Sequence, residues 1–359
     1  MKFIHIADLH FDAPFKTLNK KELGEIRRLE QRKIFKKVIE YISENKIQYL
    51  FICGDLYEQE YIKHSTIEYI NNLFKTIPDT KIFIVPGNHD PYIKNSYYQQ
   101  YSWNKNVYIF SSNLKKLEEE NVNIYGYGFD NFYMNASDTI DKIELEQKDK
   151  INILLTHGTL DVNSIEREYN PIYTKQLKKI GFDYIALGHI HKPYCEENNP
   201  YIVYPGSLIS LGFDEQGKHG MIVGEIEENT KKVNVEFVPM DTKEFVELEI
   251  DVTDIISQEN LTEKINNIKI QENYYYKIIL TGNRNFEIKI EEIKKLIEDK
   301  RIIKIKDNTT ISINLTKISQ ENSLKGFFVR NILEKIENNP NDKEKLLKVI
   351  EIGLEAMNG

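Results

Sequence analysis

The chain has 359 residues, 40% of them hydrophobic and 29% charged, the composition of an ordinary soluble globular protein with room for two domains. Its net charge of −8 excludes a protein that coats nucleic acid by bulk positive charge, but leaves room for a local basic groove. Two cysteines, Cys53 and Cys195, exclude a disulfide framework and fit a reducing cytosol.

The N-terminus starts Met1-Lys2-Phe3-Ile4-His5-Ile6 without an apolar signal segment. No apolar stretch approaches the roughly 20 residues that span a bilayer. A cytoplasmic protein without a membrane partner is the expectation. Residues 2–7, 49–53 and 81–85 are short β-rich runs, separated by helical patterns over 21–45 and 66–76. This alternation predicts parallel strands with helices on the sheet faces. Further strands are expected at 122–127, 151–156, 184–187, 201–204, 221–227 and 233–239. The late ones follow one another closely, which predicts antiparallel pairing. The fold class is therefore α/β: a two-sheet β-sandwich flanked by helices over residues 1–240. A composition shift near Met240 opens a small α/β capping domain, 241–315, with strands at 245–252, 274–281 and 301–305 and helices at 261–268 and 286–299. Residues 316–359 read as a helical tail, broken at Asn338-Asn339-Pro340-Asn341.

Five polar motifs stand at the ends of predicted strands: Asp8-Leu9-His10, Gly54-Asp55, Gly87-Asn88-His89-Asp90, His157-Gly158 and Gly188-His189-Ile190-His191. Ligands of open α/β sheets bind outside the carboxyl ends of strands. Imidazole mixed with carboxylate suits Mn, Fe, Zn or Co better than Mg or Ca alone. Two such cations would clamp a phosphate ester and lower the pKa of a bound water. Taken singly, Asp-x-His or Gly-Asp is more often a turn or a helix cap than a ligand, whereas Gly-Asn-His-Asp and Gly-His-x-His after an apolar strand are stronger signals, because polar groups there are costly without a purpose. The five together predict a binuclear metal cage of Asp8, His10, Asp55, Asn88, His157, His189 and His191.

These motifs resemble the calcineurin-like metallophosphoesterase superfamily over roughly residues 1–240. The run from Ala7 to Phe15, Gly54-Asp55-Leu56-Tyr57, Gly87-Asn88-His89-Asp90-Pro91 and the run from Tyr184 to His191 carry the resemblance. Tyr204-Pro205-Gly206-Ser207, Gly212-Phe213-Asp214-Glu215 and His219-Gly220 extend it. Within the superfamily they are most similar to the SbcD-related DNA repair nucleases, in particular the bacterial YhaO-type exonucleases. The resemblance implies Asp8, His10 and His191 around one metal, Asn88, His157 and His189 around the other, and Asp55 between them. It implies His89 as a catalytic group beside the scissile phosphate, two Mn2+ ions, and 3′–5′ exonuclease action on DNA ends. It also implies a coiled-coil, SMC-like ATPase partner and, in many relatives, a homodimer. Many SbcD relatives carry a glycine two residues after the His10 position, where this chain has Asp12 after Phe11.

Other residues leave alternatives open. Asp12 either orients His10 or closes a turn. His219, in an expected hairpin turn, either touches substrate or is structural. His5 reads as a core residue, His64 as a cap or surface group, and Trp103 as core packing. The Arg and Lys residues of 21–45 either contact DNA phosphates or form a solvated face. The apolar stripes of the tail either dock on the chain or receive a partner. A phosphodiesterase or phosphatase of small esters competes with the nuclease. A non-catalytic scaffolding protein with a structural metal site is the remaining alternative, and His89 speaks against it.

Overall fold

The computed structural model describes residues 1–358 apart from 16–17, 19–20, 136, 146, 148, 163–168, 197–200 and 312–314. The chain divides into two units, Met1–Phe245 and Val246–Gly359.

The first unit is built on two six-stranded sheets. One runs in the order Val233–Pro239, Gly220–Ile226, Lys2–Ile6, Tyr49–Cys53, Lys81–Val85, Val107–Ile109. Its middle strands pair in parallel, because helices Lys21–Glu44 and His64–Phe74 carry the chain back between them. The other runs Tyr194–Glu196, Tyr201–Tyr204, Tyr184–Gly188, Ile151–His157, Val122–Gly126, Lys115–Glu118. Alternation along each strand makes the sandwich. Phe3, Phe51 and Phe83 of one sheet meet Ile153, Leu155, Tyr184 and Ala186 of the other in one core. The intervening Ile4, Ile6, Leu50, Ile52, Ile82 and Ile84 are also fully buried, so these strands read as continuous apolar runs instead of alternating ones. Phe35 of the long helix packs edge-on against Phe11 and against Phe74 of the next helix. The second sheet's outer face has its own core, with Tyr125, Leu154, Ile185, Leu177 and Phe182.

The late strands differ from expectation in one respect. Gly220–Ile226 is antiparallel to Lys2–Ile6 and to Val233–Pro239, but Tyr201–Tyr204 lies parallel to Tyr184–Gly188. The short strand Tyr194–Glu196 supplies the return: it folds back antiparallel to Tyr201–Tyr204.

The sheet of the second unit has three strands, Glu244–Asp251 (which starts in the last two residues of the first unit), Tyr274–Thr281 and Ile302–Asp307. Leu261 and Ile265 of helix Gln258–Asn266 and Ile293 of helix Ile290–Leu296 pack with Ile278 and Leu280 in its core. The helix expected at 286–299 is thus reduced to its middle. Asn283–Arg284 pairs with Thr310–Ile311, and Phe286 and Ile288 reach the core at a spacing of two, as extended chain does. The tail forms helices Leu315–Ser319, Leu324–Asn338 and Lys343–Asn358. Ser323 caps the second of these by accepting from the Gly326 amide. Val329, Ile332, Ile350 and Leu354 are buried together, while Leu324, Phe327, Val349 and Ile352 stay exposed. Among the described residues, no helix is long and apolar enough to cross a membrane.

Candidate metal centre

Four loops and the last residue of one strand, His157, bring the seven predicted donors to one rim. Three of the loops follow strands of the first sheet, Lys2–Ile6, Tyr49–Cys53 and Lys81–Val85, and the fourth follows Tyr184–Gly188 of the second, to which Ile151–His157 also belongs. The turns are sharp. Asp8, His10, Asp55 and His189 all have positive φ, between 49° and 101°. Such backbone is uncommon for non-glycine residues, costs of order 1–3 kcal/mol each, and concentrates at functional sites. Two glycines allow the loops to close on one another. A Cβ at Gly54, itself at φ 88°, would overlap the His157 ring, and one at Gly188 would overlap the Cys53 carbonyl.

Donor atoms of Asp8, His10 and His191 lie within 4.8 Å of one another, as do those of Asp8, Asp55 and His157. The His10 and His191 Nε2 atoms are 3.1 Å apart. Asn88 Oδ1 is 3.1 Å from His157 Nε2 and 3.2 Å from His189 Nδ1. Asp55 stands between the two groups, with Oδ2 3.4 Å from His157 Nε2 and 3.7 Å from His10 Nε2. Its Oδ1 accepts the His89 amide at 2.8 Å. Both oxygens of Asp8 accept the His189 amide, at 3.0 and 3.1 Å.

The hydrogen-bond pattern leaves imidazole nitrogens and acceptor oxygens facing one another in both groups. His10 Nδ1 is 2.9 Å from Glu58 Oε1 and His191 Nδ1 is 2.6 Å from Glu215 Oε1. An ionised carboxylate only accepts, so both Nδ1 atoms donate. In the neutral tautomer the two Nε2 lone pairs then face each other. Likewise His157 Nδ1 donates to the Cys53 carbonyl at 2.8 Å, leaving Nε2 against the acceptor oxygens of Asn88 and Asp55. Only a proton or a metal cation relieves such contacts. The donor set therefore fits divalent metals, with carboxylates orienting the imidazoles of one group and a backbone carbonyl orienting His157 in the other.

The charges around the site shift the pKa values of these side chains in the directions the contacts imply. Burial disfavours charge on His191, but Glu215 and Asp8 raise it to about 9. Burial likewise opposes charge on His157, and Asp55 raises it to about 9. Burial also works against ionising Asp55, yet His157, His10 and His89 hold its carboxyl well below the usual range. His189 is driven to about 3, by burial and then by the charge of His157. His89 is partly exposed at the rim. Its Nδ1 is 3.0 Å from Glu58 Oε2. Burial lowers its pKa, but the Glu58 hydrogen bond and nearby carboxylates raise it to about 9.

Three carboxylates that frame this site had no assigned role in the sequence. Glu58 bonds both His10 and His89. Glu215 holds His191, Ser207 Oγ and the Leu211 amide. Asp90, fully buried, accepts from the amides of Asp55, Leu56 and Gly87 and from the Tyr98 hydroxyl, and so fixes the loop that carries Asp55. Their signal was an acid inside a site loop: Glu58 three residues after Asp55, and Asp90 two after Asn88.

Asp12 does not orient His10. It accepts from Arg32, Thr66 and the Lys63 amide, anchoring the loop to both helices. His219 takes the structural alternative and stands outside the turn, just ahead of strand Gly220–Ile226. It is buried between Ser207 Oγ and the Glu215 carbonyl, behind the loop that supports His191. Arg27 belongs to no solvated or DNA-facing surface. It is fully buried, bound to Asp241, Glu30 and the Ser210 carbonyl. His5 bridges the sheets, 3.0 Å from Tyr184 Oη and 3.1 Å from the Leu187 carbonyl. His64 lies exposed at the start of its helix, and Trp103 donates to the Tyr97 carbonyl.

A sandwich of mostly parallel sheets with such a cage at one rim defines a metallophosphoesterase. Residues 1–193 match the family model for calcineurin-like phosphoesterases, and the chain belongs to that family. The family uses a dinuclear divalent metal site, so the chain is a metal-dependent phosphoesterase. It is 28% identical over 317 residues to the SbcD component of the SbcCD nuclease of Staphylococcus epidermidis, covering 77% of this chain and 78% of that one. It is 25% identical over 231 residues to the uncharacterized metallophosphoesterase YhaO of Bacillus subtilis, covering 61% of this chain and 56% of that one.

Proposed function

We propose that this phosphoesterase is a DNA exonuclease that processes strand ends in the 3′–5′ direction, in the cytoplasm, with two Mn2+ ions. The observation that carries the reading is the extent of the likeness to the Staphylococcus nuclease component. This match over 77% of the chain is longer than the unit Met1–Phe245 that bears the cage, so it reaches into the second unit. A likeness confined to the cage would favour small phosphate esters equally, because the cage recognises phosphate and not what is attached to it.

In this reading Asp8, His10 and His191 would hold one metal, Asn88, His157 and His189 would hold the other, and Asp55 would be shared by both. Divalent metals held there would supply Lewis-acid polarisation of the phosphate and a lowered pKa for a bound water. The chain's own residues do the rest. Glu58 and Glu215 fix the tautomers of His10 and His191, so that Nε2 of each is the ligating atom. His89, anchored to Glu58 through Nδ1, keeps Nε2 for the substrate, where it stabilises charge or gives a proton to the leaving oxygen. Asp90 holds the amides around Asp55 in register. The second unit is assigned to the polymer substrate, and its tail to a coiled-coil ATPase partner, in keeping with a relative named as one component of a larger nuclease.

The test is degradation of end-labelled duplex and single-stranded DNA with Mn2+ and then Mg2+. The proposal expects Mn2+-dependent shortening from 3′ ends. Hydrolysis of bis-p-nitrophenyl phosphate without shortening of any DNA would replace it with the small-ester reading.

A further inference from the structure

Next to the predicted donors lies a groove of ≈ 490 Å3 whose lining includes Asn88 and His89 together with Tyr61, Phe132, Tyr133 and Tyr169. Its size falls in the roughly 300–1,000 Å3 range of small-ligand sites. Three of the aromatic rings are exposed: Tyr61 by 41%, Phe132 by 40% and Tyr133 by 59%. Large rings are seldom left in water as a group without use. The wall is continuous with the metal centre. Tyr169 stacks on the His189 ring at 5.2 Å and 26°, and Tyr133 lies 5.9 Å from Tyr169. Among the described lining residues the charged ones are Glu58, Glu60 and His89. Glu58 is bonded to His10 and His89, which leaves Glu60 as the unoffset charge of this lining, and a flat neutral ring is not repelled by it.

We infer that this groove is a nucleobase site: it takes the unstacked base at a strand end, sandwiched among Tyr61, Phe132 and Tyr133, while the adjoining phosphodiester lies at Asn88 and His89. The inference rests on the nuclease reading and specifies the substrate: a nucleoside phosphodiester whose terminal base has left its neighbours. Stacking on aromatic side chains tolerates any base, because each has a π-face. The groove therefore gives affinity for nucleic acid over simple esters without sequence preference.

The test uses the full chain with Mn2+ and two single-stranded oligonucleotides that differ only at the end residue, one 2-aminopurine and one abasic. Cleavage and 2-aminopurine fluorescence are read together. The inference expects quenching on binding and a KM roughly tenfold lower for the base-bearing end, in line with the stacking of one base. In Phe132→Ala/Tyr133→Ala the quenching and the KM ratio collapse, and in Phe132→Tyr both persist. Cleavage with a KM ratio of one, or a ratio that the alanine variant leaves unchanged, overturns the base site and leaves the nuclease reading intact. Quenching that the alanine variant abolishes, without cleavage, supports the site and overturns the nuclease reading. Neither quenching nor cleavage overturns both.

Discussion

At the scale of single residues, Glu58 is the centre of the site's chemistry. One carboxylate bonds a predicted metal ligand through one oxygen and the predicted catalytic imidazole through the other. Removing its charge weakens His10 as a donor and frees His89 to turn. Loss of a carboxylate behind a ligating histidine typically costs roughly 10–100-fold in metal affinity. Glu58→Gln is therefore expected to weaken the tighter of two Mn2+ binding steps by that factor in calorimetry; an unchanged isotherm would remove Glu58 from the site. His5 acts on stability instead. Burial lowers its pKa from 6.5 to about 3, so between those values the unfolded chain takes a proton that the folded chain refuses. Its contribution is present above pH 6.5 and is lost as the pH falls toward 3. The loss amounts to about 2 kcal/mol by pH 5. Urea unfolding followed by the single tryptophan, Trp103 in the first unit, should show this loss between pH 7 and 5, and His5→Gln should reduce it. Equal slopes for the two proteins would contradict the assignment.

The predicted donors were legible because each motif follows an apolar strand, where polar groups cost free energy unless they are used. Glu58, Asp90 and Glu215 were not, because an acid in a loop carries no period and no cost that marks it. Of the two readings of Asp12 the turn holds: the residue sits in a turn at φ 64°, and its partners are Arg32, Thr66 and Lys63 instead of His10.

At the scale of elements, the strands and long helices followed from periodicity, and the errors fell where tertiary contacts decide. The apolar residues of 286–299 fit a helix or extended chain equally well, and the pairing of Asn283–Arg284 selected the latter for its first part. Arg27 sits in a charged stretch that reads as surface, yet Asp241, 214 residues away, draws it inside. Asp241→Ala would leave that guanidinium buried with only Glu30 and the Ser210 carbonyl. A cost of about 3 kcal/mol in urea unfolding is expected, and a change below ~0.5 kcal/mol would show that the pair is dispensable. The meeting of Tyr49–Cys53 with Tyr184–Gly188 is tighter still. Gly188→Ala pushes on the Cys53 carbonyl that holds His157. Overpacking of this kind costs about 1–3 kcal/mol, and the variant is expected to lose metal binding along with stability. Full Mn2+ binding in a normally stable variant would contradict the packing argument.

At the scale of the whole molecule, all seven predicted donors lie within Met1–Phe245. The exposed Leu324, Phe327, Val349 and Ile352 of the tail suit a partner helix. Deleting 324–359 is expected to abolish capture of a coiled-coil ATPase while hydrolysis of bis-p-nitrophenyl phosphate continues; retained capture would move the partner's site elsewhere. All of this depends on a cage that holds two metals. The most direct test is anomalous diffraction at the Mn edge from crystals soaked in Mn2+. Two peaks are expected, one between Asp8, His10 and His191 and one between Asn88, His157 and His189, with Asp55 touching both. A single peak, or peaks away from Asp55, would contradict the account.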